Sequence, residues 1–183
     1  MRSIKKILVT GGCGFIGSNL VENLNDKNFK VESLDNLSRS GSKLNEIRLA
    51  KKNIKNHKIN ISNKIKINKL PKFDVIIHCS ADSSVNTPKD KIRETINTNF
   101  DGTNNIIEKC LKDKSYLIFF SSSRVYSVEN INKLVKAKNL NKRINLSKKY
   151  LINEKFSTKS PITFYGFTKL ASEILKKEYS NYH

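Results

Sequence analysis

The chain reads as an α/β protein, a doubly wound parallel sheet with helices on both faces. Three observations predict this. Short apolar runs alternate with helix-like stretches; the first run, residues 4–9, passes directly into Thr10-Gly11-Gly12-Cys13-Gly14-Phe15-Ile16-Gly17; and the second, residues 29–34, ends in an acid, Asp35. Strand, helix and strand in succession imply right-handed crossovers, a parallel sheet, and a ligand crevice at the carboxyl ends of the strands where the winding reverses.

Taken in order, strands are expected near residues 4–10, 30–35, 57–61, 73–78 and 115–120, and helices near 14–26, 42–52, 89–112 and 164–181. The fourth strand rests on Val75-Ile76-Ile77 and the fifth on Tyr116-Leu117-Ile118-Phe119-Phe120, runs too short for a helix and rich in β-branched or aromatic residues. Residues 59–71 lack a clear period, so a loop with a brief turn is expected there. No internal repeat interrupts the pattern.

Composition bounds the class. A chain of 183 residues can bury one core, and its 37% apolar content is that of a globular domain. No segment approaches the roughly 20 apolar residues of a membrane span, and the N-terminus reads as strand and not as a signal peptide, so a cytoplasmic protein is expected. Cys13, Cys79 and Cys110 are scattered without metal-ligand spacing, which predicts buried free thiols and no metal site. The net charge of +19 draws attention to nucleic acid, but the lysines are dispersed among asparagines and isoleucines and form no focused stripe. No specific nucleic-acid partner is expected; a steeply salt-dependent affinity for any DNA or RNA would be the contrary sign.

The glycine-rich turn carries the first functional reading. Its three spaced glycines, Gly11, Gly14 and Gly17, suit a tight turn, close approach of backbone to phosphate, and close packing of helix on strand. The helix that starts there offers unpaired N–H groups and a positive dipole end to a pyrophosphate. Asp35, about 20 residues on, stands where an acid binds the adenosine ribose diol, although an acid at a strand end also reads as a turn former. A carboxylate repels a 2′-phosphate, so NAD is expected over NADP, with Arg39 as the one nearby cation on which an NADP reading would rest.

A second constellation lies further along. The fifth strand runs into Ser121-Ser122-Ser123-Arg124-Val125-Tyr126, which sets three hydroxyls where the nicotinamide end of a dinucleotide should lie. Tyr165 and Lys169 are four apart and share one helix face, so an ammonium can sit below a phenol. Lowering a tyrosine by ~3 units from its reference of about 10 requires ~4 kcal/mol of selective phenolate stabilisation, which a lysine, an oxidised nicotinamide and a serine hydroxyl can share. Alone, two such residues on a lysine-rich helix would be read as coincidence.

Together these segments resemble the N-terminal part of an extended short-chain dehydrogenase/reductase of the NAD-dependent sugar epimerase/dehydratase family, from the first strand to the last helix. Residues 10–17 match its glycine-rich turn, and Asp35-Asn36-Leu37-Ser38 its ribose-binding strand end. Val75-Ile76-Ile77-His78-Cys79-Ser80-Ala81 is similar to its fourth-strand pattern, Asn99, Gly102, Thr103 and Asn105 to its central helix, Ser122 to its catalytic Ser/Thr, and Tyr165 with Lys169 to its Tyr-x-x-x-Lys pair. The resemblance implies an NAD-binding Rossmann fold. It assigns cofactor contacts to Gly11, Gly14, Phe15, Ile16, Gly17, Asp35, Asn36, Asn60, Ile61, Cys79, Ser80, Ala81, Asn99, Tyr165 and Lys169, and catalysis to Tyr165, Lys169 and Ser122. It also implies a nucleotide-sugar substrate, hydride transfer from a sugar carbon to NAD with tyrosine as base, and a homodimer in the full-length form. His78, by contrast, is expected to be a packed, hydrogen-bonded residue, and Asn99, whose family counterpart props the sheet near the active site, also reads as structural.

Departures from the pattern shape the expectation. Family dehydratases follow the catalytic Ser/Thr with Asp and Glu, which remove water; Ser123 and Arg124 stand here, so an epimerase or simple oxidoreductase is expected over a 4,6-dehydratase. Asn60 replaces the family's adenine-binding Asp. Residues 127–160 form an insertion, read as a surface hairpin or a flap, and its wording resembles a bacterial subgroup labelled CDP-paratose 2-epimerase-like. Family members continue into a further strand and a small C-terminal substrate domain, whereas this chain stops at His183, so a fragment that is poorly soluble and inactive alone is expected. A non-catalytic NAD-binding domain and an NADP-linked reductase of the same fold are the alternatives.

Overall fold

The computed structural model describes residues 6–137, 152–160 and 162–182. Five strands, β1 (Lys6–Thr10), β2 (Lys30–Leu34), β3 (Asn56–His57), β4 (Val75–His78) and β5 (Tyr116–Phe119), form one parallel sheet in the order β3-β2-β1-β4-β5. The winding reverses between β1 and β4. Thr10 pairs with Leu34 on one side and His78 on the other, so three strands end at one level and the loops that follow them emerge together.

Helices cover both faces: α1 (Phe15–Asp26), α2 (Ser42–Ala50), α3 (Lys64–Asn68), α4 (Ile92–Ile96), α5 (Gly102–Asp113), α6 (Val128–Ala137) and α7 (Phe164–Tyr182). Successive residues of a strand point to opposite faces, and the central strands β1 and β4 are buried on both, which is why they read as apolar runs. Ile7, Val9, Val75 and Ile77 enter one core with Val21 of α1 and Leu49 of α2; Leu8 and Ile76 enter the other with Ile67, Phe73 and Ile106. Truncating Leu8, fully buried, to alanine would cost ~2–5 kcal/mol in cavity and transfer terms.

Three expected elements differ in detail. The third strand is only Asn56–His57, which overlaps the 57–61 window at His57 alone; β2 pairs with it only at Ser33 and Leu34. Residues 59–71 include α3, whose first turn is capped by Asn63, its Oδ1 accepting the Lys66 N–H at 3.0 Å. The helix expected over 89–112 is instead a 3₁₀ turn at Lys89–Lys91, α4, a π turn at Asn97–Asp101, and α5. At the π turn Asn99 O accepts the Thr103 hydroxyl at 2.5 Å, while the Ser172 hydroxyl of α7 donates to Thr168 O at 2.8 Å and lies 3.4 Å from Asn99 O.

Near the two ends of the expected insertion the Ser127 N–H donates to Ser157 O at 2.8 Å and Tyr126 meets Phe156 edge to face at 5.7 Å. The first part of the insertion is α6, a helix where a hairpin was one expectation; residues 138–151 lie outside the described residues. β5 is an edge of the described sheet, and it leaves Tyr116 69% and Ile118 50% exposed.

Candidate active site

The turn after β1 is built by backbone packed on backbone. Gly11 has φ +66, and its N–H donates to Leu34 O at 2.7 Å. A Cβ there would lie 2.8 Å from Ser80 N, and one at Gly17 would lie 2.1 Å from Gly11 O, so the turn, the start of α1 and the end of β4 close on one another with no room for a methyl group. Gly14 caps α1 with extended backbone; no side chain caps the helix and no acid occupies its first turn. Its uncapped N–H groups and positive dipole end therefore remain available to an anion. Phe15 and Ile16, in that first turn, are 86% and 53% exposed.

Asp35 stands half-buried at the end of β2. Its Oδ2 accepts the Cys13 N–H at 3.1 Å and its Oδ1 the Leu37 N–H at 2.8 Å, so the carboxylate ties the β2 loop to the glycine turn. Burial raises its pKa, against the opposing effect of these two N–H groups. Asn36 is exposed and accepts the backbone N–H and hydroxyl of Ser38. Asn60 is exposed as well, and its Oδ1 accepts both Ser62 donors. Ile61, expected beside the cofactor, instead sends its side chain into the core, 3% exposed and against Gly102, where a Cβ would come within 2.6 Å of it.

At the end of β4, His78 is wholly buried between two hydroxyls, Nδ1 at 2.6 Å from Thr10 Oγ1 and Nε2 at 2.9 Å from Thr103 Oγ1. Burial and the nearby Lys169 charge lower its pKa to about 3, so it stays neutral and ties β1, β4 and α5 together. Cys79, Ser80 and Ala81 follow, partly exposed; the Ser80 N–H donates to Thr10 Oγ1 at 3.3 Å, and burial pushes the Cys79 thiol up to about 11. Cys13 and Cys110 are likewise free and buried. Among the described residues no group of three or more His, Cys, Asp or Glu could hold a metal ion.

Asn99, assigned to the cofactor path by resemblance, spends its amide inside the protein. Its Oδ1 accepts the Asp82 N–H at 2.7 Å, and its Nδ2 donates to Asp82 O at 2.9 Å and Thr168 Oγ1 at 3.1 Å. At 1% exposure it is a prop joining the β4 loop to α7. Nothing local in the sequence identifies that link, because its partners lie 17 and 69 residues away.

The second constellation gathers where β5 meets α7. Ser122 Oγ accepts the Arg124 N–H at 3.1 Å and so caps the short turn Ser123–Val125, which leaves its hydroxyl proton to donate elsewhere. Thr163 opens α7 by accepting the Gly166 N–H at 3.0 Å. Gly166 then lies so close to that turn that a Cβ would come within 2.1 Å of Arg124 O, which holds the first turn of α7, with Tyr165, beside the Ser122 segment. One helical turn on, Lys169 is 3% exposed; its Nζ donates to Phe120 O at 2.8 Å and lies 4.8 Å from the Phe119 ring centre. Burial lowers its pKa to about 8. Ser121, three residues before Arg124, donates to the Glu173 carboxylate on the same helix.

The uncapped helix end, the methyl-free turn beneath it and the acid at the neighbouring strand end fit a dinucleotide. Comparison with known proteins agrees. The sequence model described as NAD dependent epimerase/dehydratase family matches residues 7–183. The chain is 42% identical over 123 residues to the UDP-N-acetyl-alpha-D-glucosaminuronate decarboxylase of Bacillus cytotoxicus, a match covering 67% of this chain and 38% of that protein. It is 35% identical over 189 residues to the dTDP-D-glucose 4,6-dehydratase of Dictyostelium discoideum, covering 96% and 40% of the two. Among solved structures, the UDP-Glc/GlcNAc 4-epimerase from Campylobacter jejuni is similar with a TM-score of 0.78 and 27% identity, over 98% of this chain and 50% of that one. The chain thus spans half or less of the length of these relatives. Matched along nearly its whole length and folded as its relatives fold, the chain belongs to the NAD-dependent epimerase/dehydratase family.

Proposed function

We propose that this chain is the NAD-binding and proton-handling part of a nucleotide-sugar epimerase, one dinucleotide-binding domain with residues 127–160 inserted in it. The observation that carries the reading is the close approach of Gly166 to Arg124 O, which packs the start of α7, bearing Tyr165 and one turn on Lys169, against the turn that Ser122 caps. Gly11, Gly14, Phe15, Ile16 and Gly17 would hold the pyrophosphate of NAD, Asp35 and Asn36 the adenosine ribose, Asn60 the adenine, and Cys79, Ser80 and Ala81 the path between. When bound, NAD supplies the acceptor and donor of a hydride.

Tyr165 takes the proton from a sugar hydroxyl, and Ser122 donates a hydrogen bond to the oxygen as it becomes a carbonyl. Lys169 spends one N–H on Phe120 O and keeps two, which can bind ribose hydroxyls while its charge stabilises the phenolate. Ser123 and Arg124 carry no carboxyl group with which to expel water, which supports epimerisation over dehydration, although a dehydratase and a decarboxylase stand among the relatives. Arg39 is engaged by Asp82, which supports NAD over NADP.

The test is Tyr165→Phe, made in the chain continued by the second half of an epimerase relative. Interconversion of UDP-sugars should fall about 10²–10⁴-fold, the usual share of a general base. NAD binding should weaken by no more than about tenfold, since one hydrogen-bonding hydroxyl is removed and charge and backbone contacts remain. Unchanged turnover would sink the proposal in favour of a non-catalytic NAD-binding domain.

A further inference from the structure

One contact spans the crevice without being used by the chemistry above. Arg39, in the loop between β2 and α2, reaches Asp82, in the loop after β4: Nη2 lies 3.0 Å from Asp82 Oδ1 and 3.1 Å from Ser83 Oγ. β2 and β4 are not neighbours; β1 runs between them. The two strands are therefore about 10 Å apart, twice the spacing of adjacent strands, and an ion pair between the loops that follow them crosses the end of β1, where the glycine turn begins.

Both ends of this bridge are anchored. The Arg39 carbonyl accepts the Ser42 N–H at 3.2 Å and its hydroxyl at 2.7 Å, which fixes Arg39 to the start of α2. Asp82 is held through its own N–H and carbonyl by Asn99, and its second carboxylate oxygen accepts the Thr95 hydroxyl at 3.0 Å. Asn99 in turn bonds Thr168, the residue before Lys169. The Asp82 carboxylate is held before the pair forms, so less side-chain entropy is lost on its side than in an ordinary surface ion pair.

We propose that Arg39 and Asp82 form a latch across the dinucleotide crevice that slows departure of bound NAD. The inference rests on the NAD reading above and assigns to Arg39 a positioning role, through Asp82, in cofactor retention. Opening the crevice requires the pair to part.

The test measures NAD association and dissociation rates by stopped-flow fluorescence on the chain, on Arg39→Gln, on Asp82→Asn and on the double variant. Arg39 is exposed and Asp82→Asn preserves the shape of the side chain, and unfolding midpoints check that all four are folded. Dissociation should be about threefold to fivefold faster in each single variant, the size an anchored but exposed ion pair can supply. The double variant should be no faster than the singles, and raising the salt should speed release from the unaltered chain alone. Unchanged or additive rates overturn the latch, as does faster association at an unchanged dissociation rate, which would make the pair an obstruction. If the unaltered chain binds no NAD, the cofactor reading fails and the latch with it; if NAD binds and its release ignores Arg39, only the latch fails.

Discussion

The two halves of the crevice are made of different materials. Around β1, β2 and β4 the site is backbone pressed on backbone, with glycines where no Cβ fits and strands buried on both faces. Around β5 and α7 it is made of side chains: a lysine at 3% exposure, a serine that caps a turn, and an edge strand with Tyr116 and Ile118 in the open. The first half is shaped once the sheet packs; the groups it offers a pyrophosphate are N–H donors with no protonation state to tune, and Asp35 is the carboxylate among them. The second half holds a charge at a cost to folding, because its work on protons requires one.

The contrast is broken most severely at Gly17. Gly17→Ala places a methyl group 2.1 Å from Gly11 O and should cost about 3 kcal/mol or more, read as a lowered denaturation midpoint. Gly41 sharpens the point, since a Cβ there meets nothing within 4 Å and only its φ of +85 resists substitution. Gly41→Ala should therefore cost about 1–2 kcal/mol. Equal losses at the two glycines would contradict a turn held by backbone contact.

In the other half the sign reverses. With Lys169 lowered to about 8 from its ordinary 10.5, the unfolded chain keeps a proton between those values that the folded chain has released. Stability from this group therefore rises with pH across that window and is least below about 8. Lys169→Met should stabilise the chain by about 1–2 kcal/mol at pH 7, after loss of the bond to Phe120 O, and should flatten that rise. A destabilised, pH-independent variant would show that the buried charge is not a burden. Smallest in folding energy is the edge: Ile118→Lys should change stability by less than about 0.5 kcal/mol while reducing self-association in sedimentation, because a charge blocks edge-to-edge pairing.

The same division governs what the sequence made legible. Strands β1, β2, β4 and β5 and the glycine turn were readable because local demands restrict the residue: only glycine fits where Gly11 and Gly17 lie. Tyr165 and Lys169 could be paired by helical spacing, but that Lys169 is buried against Phe120 depends on packing 49 residues away. The inward Ile61 and the Arg39–Asp82 bridge were not legible for that reason, each being set by partners distant in sequence. The helix α3 left one readable sign, Asn63 as its cap, within a stretch too polar to show a period.

The most direct measurement is a crystal structure of the chain with NAD. The account expects the pyrophosphate at the N-terminus of α1, the adenosine ribose on Asp35, and the Tyr165 hydroxyl and Lys169 Nζ turned toward the nicotinamide riboside. NAD bound elsewhere, or those two side chains facing away from it, would contradict the account.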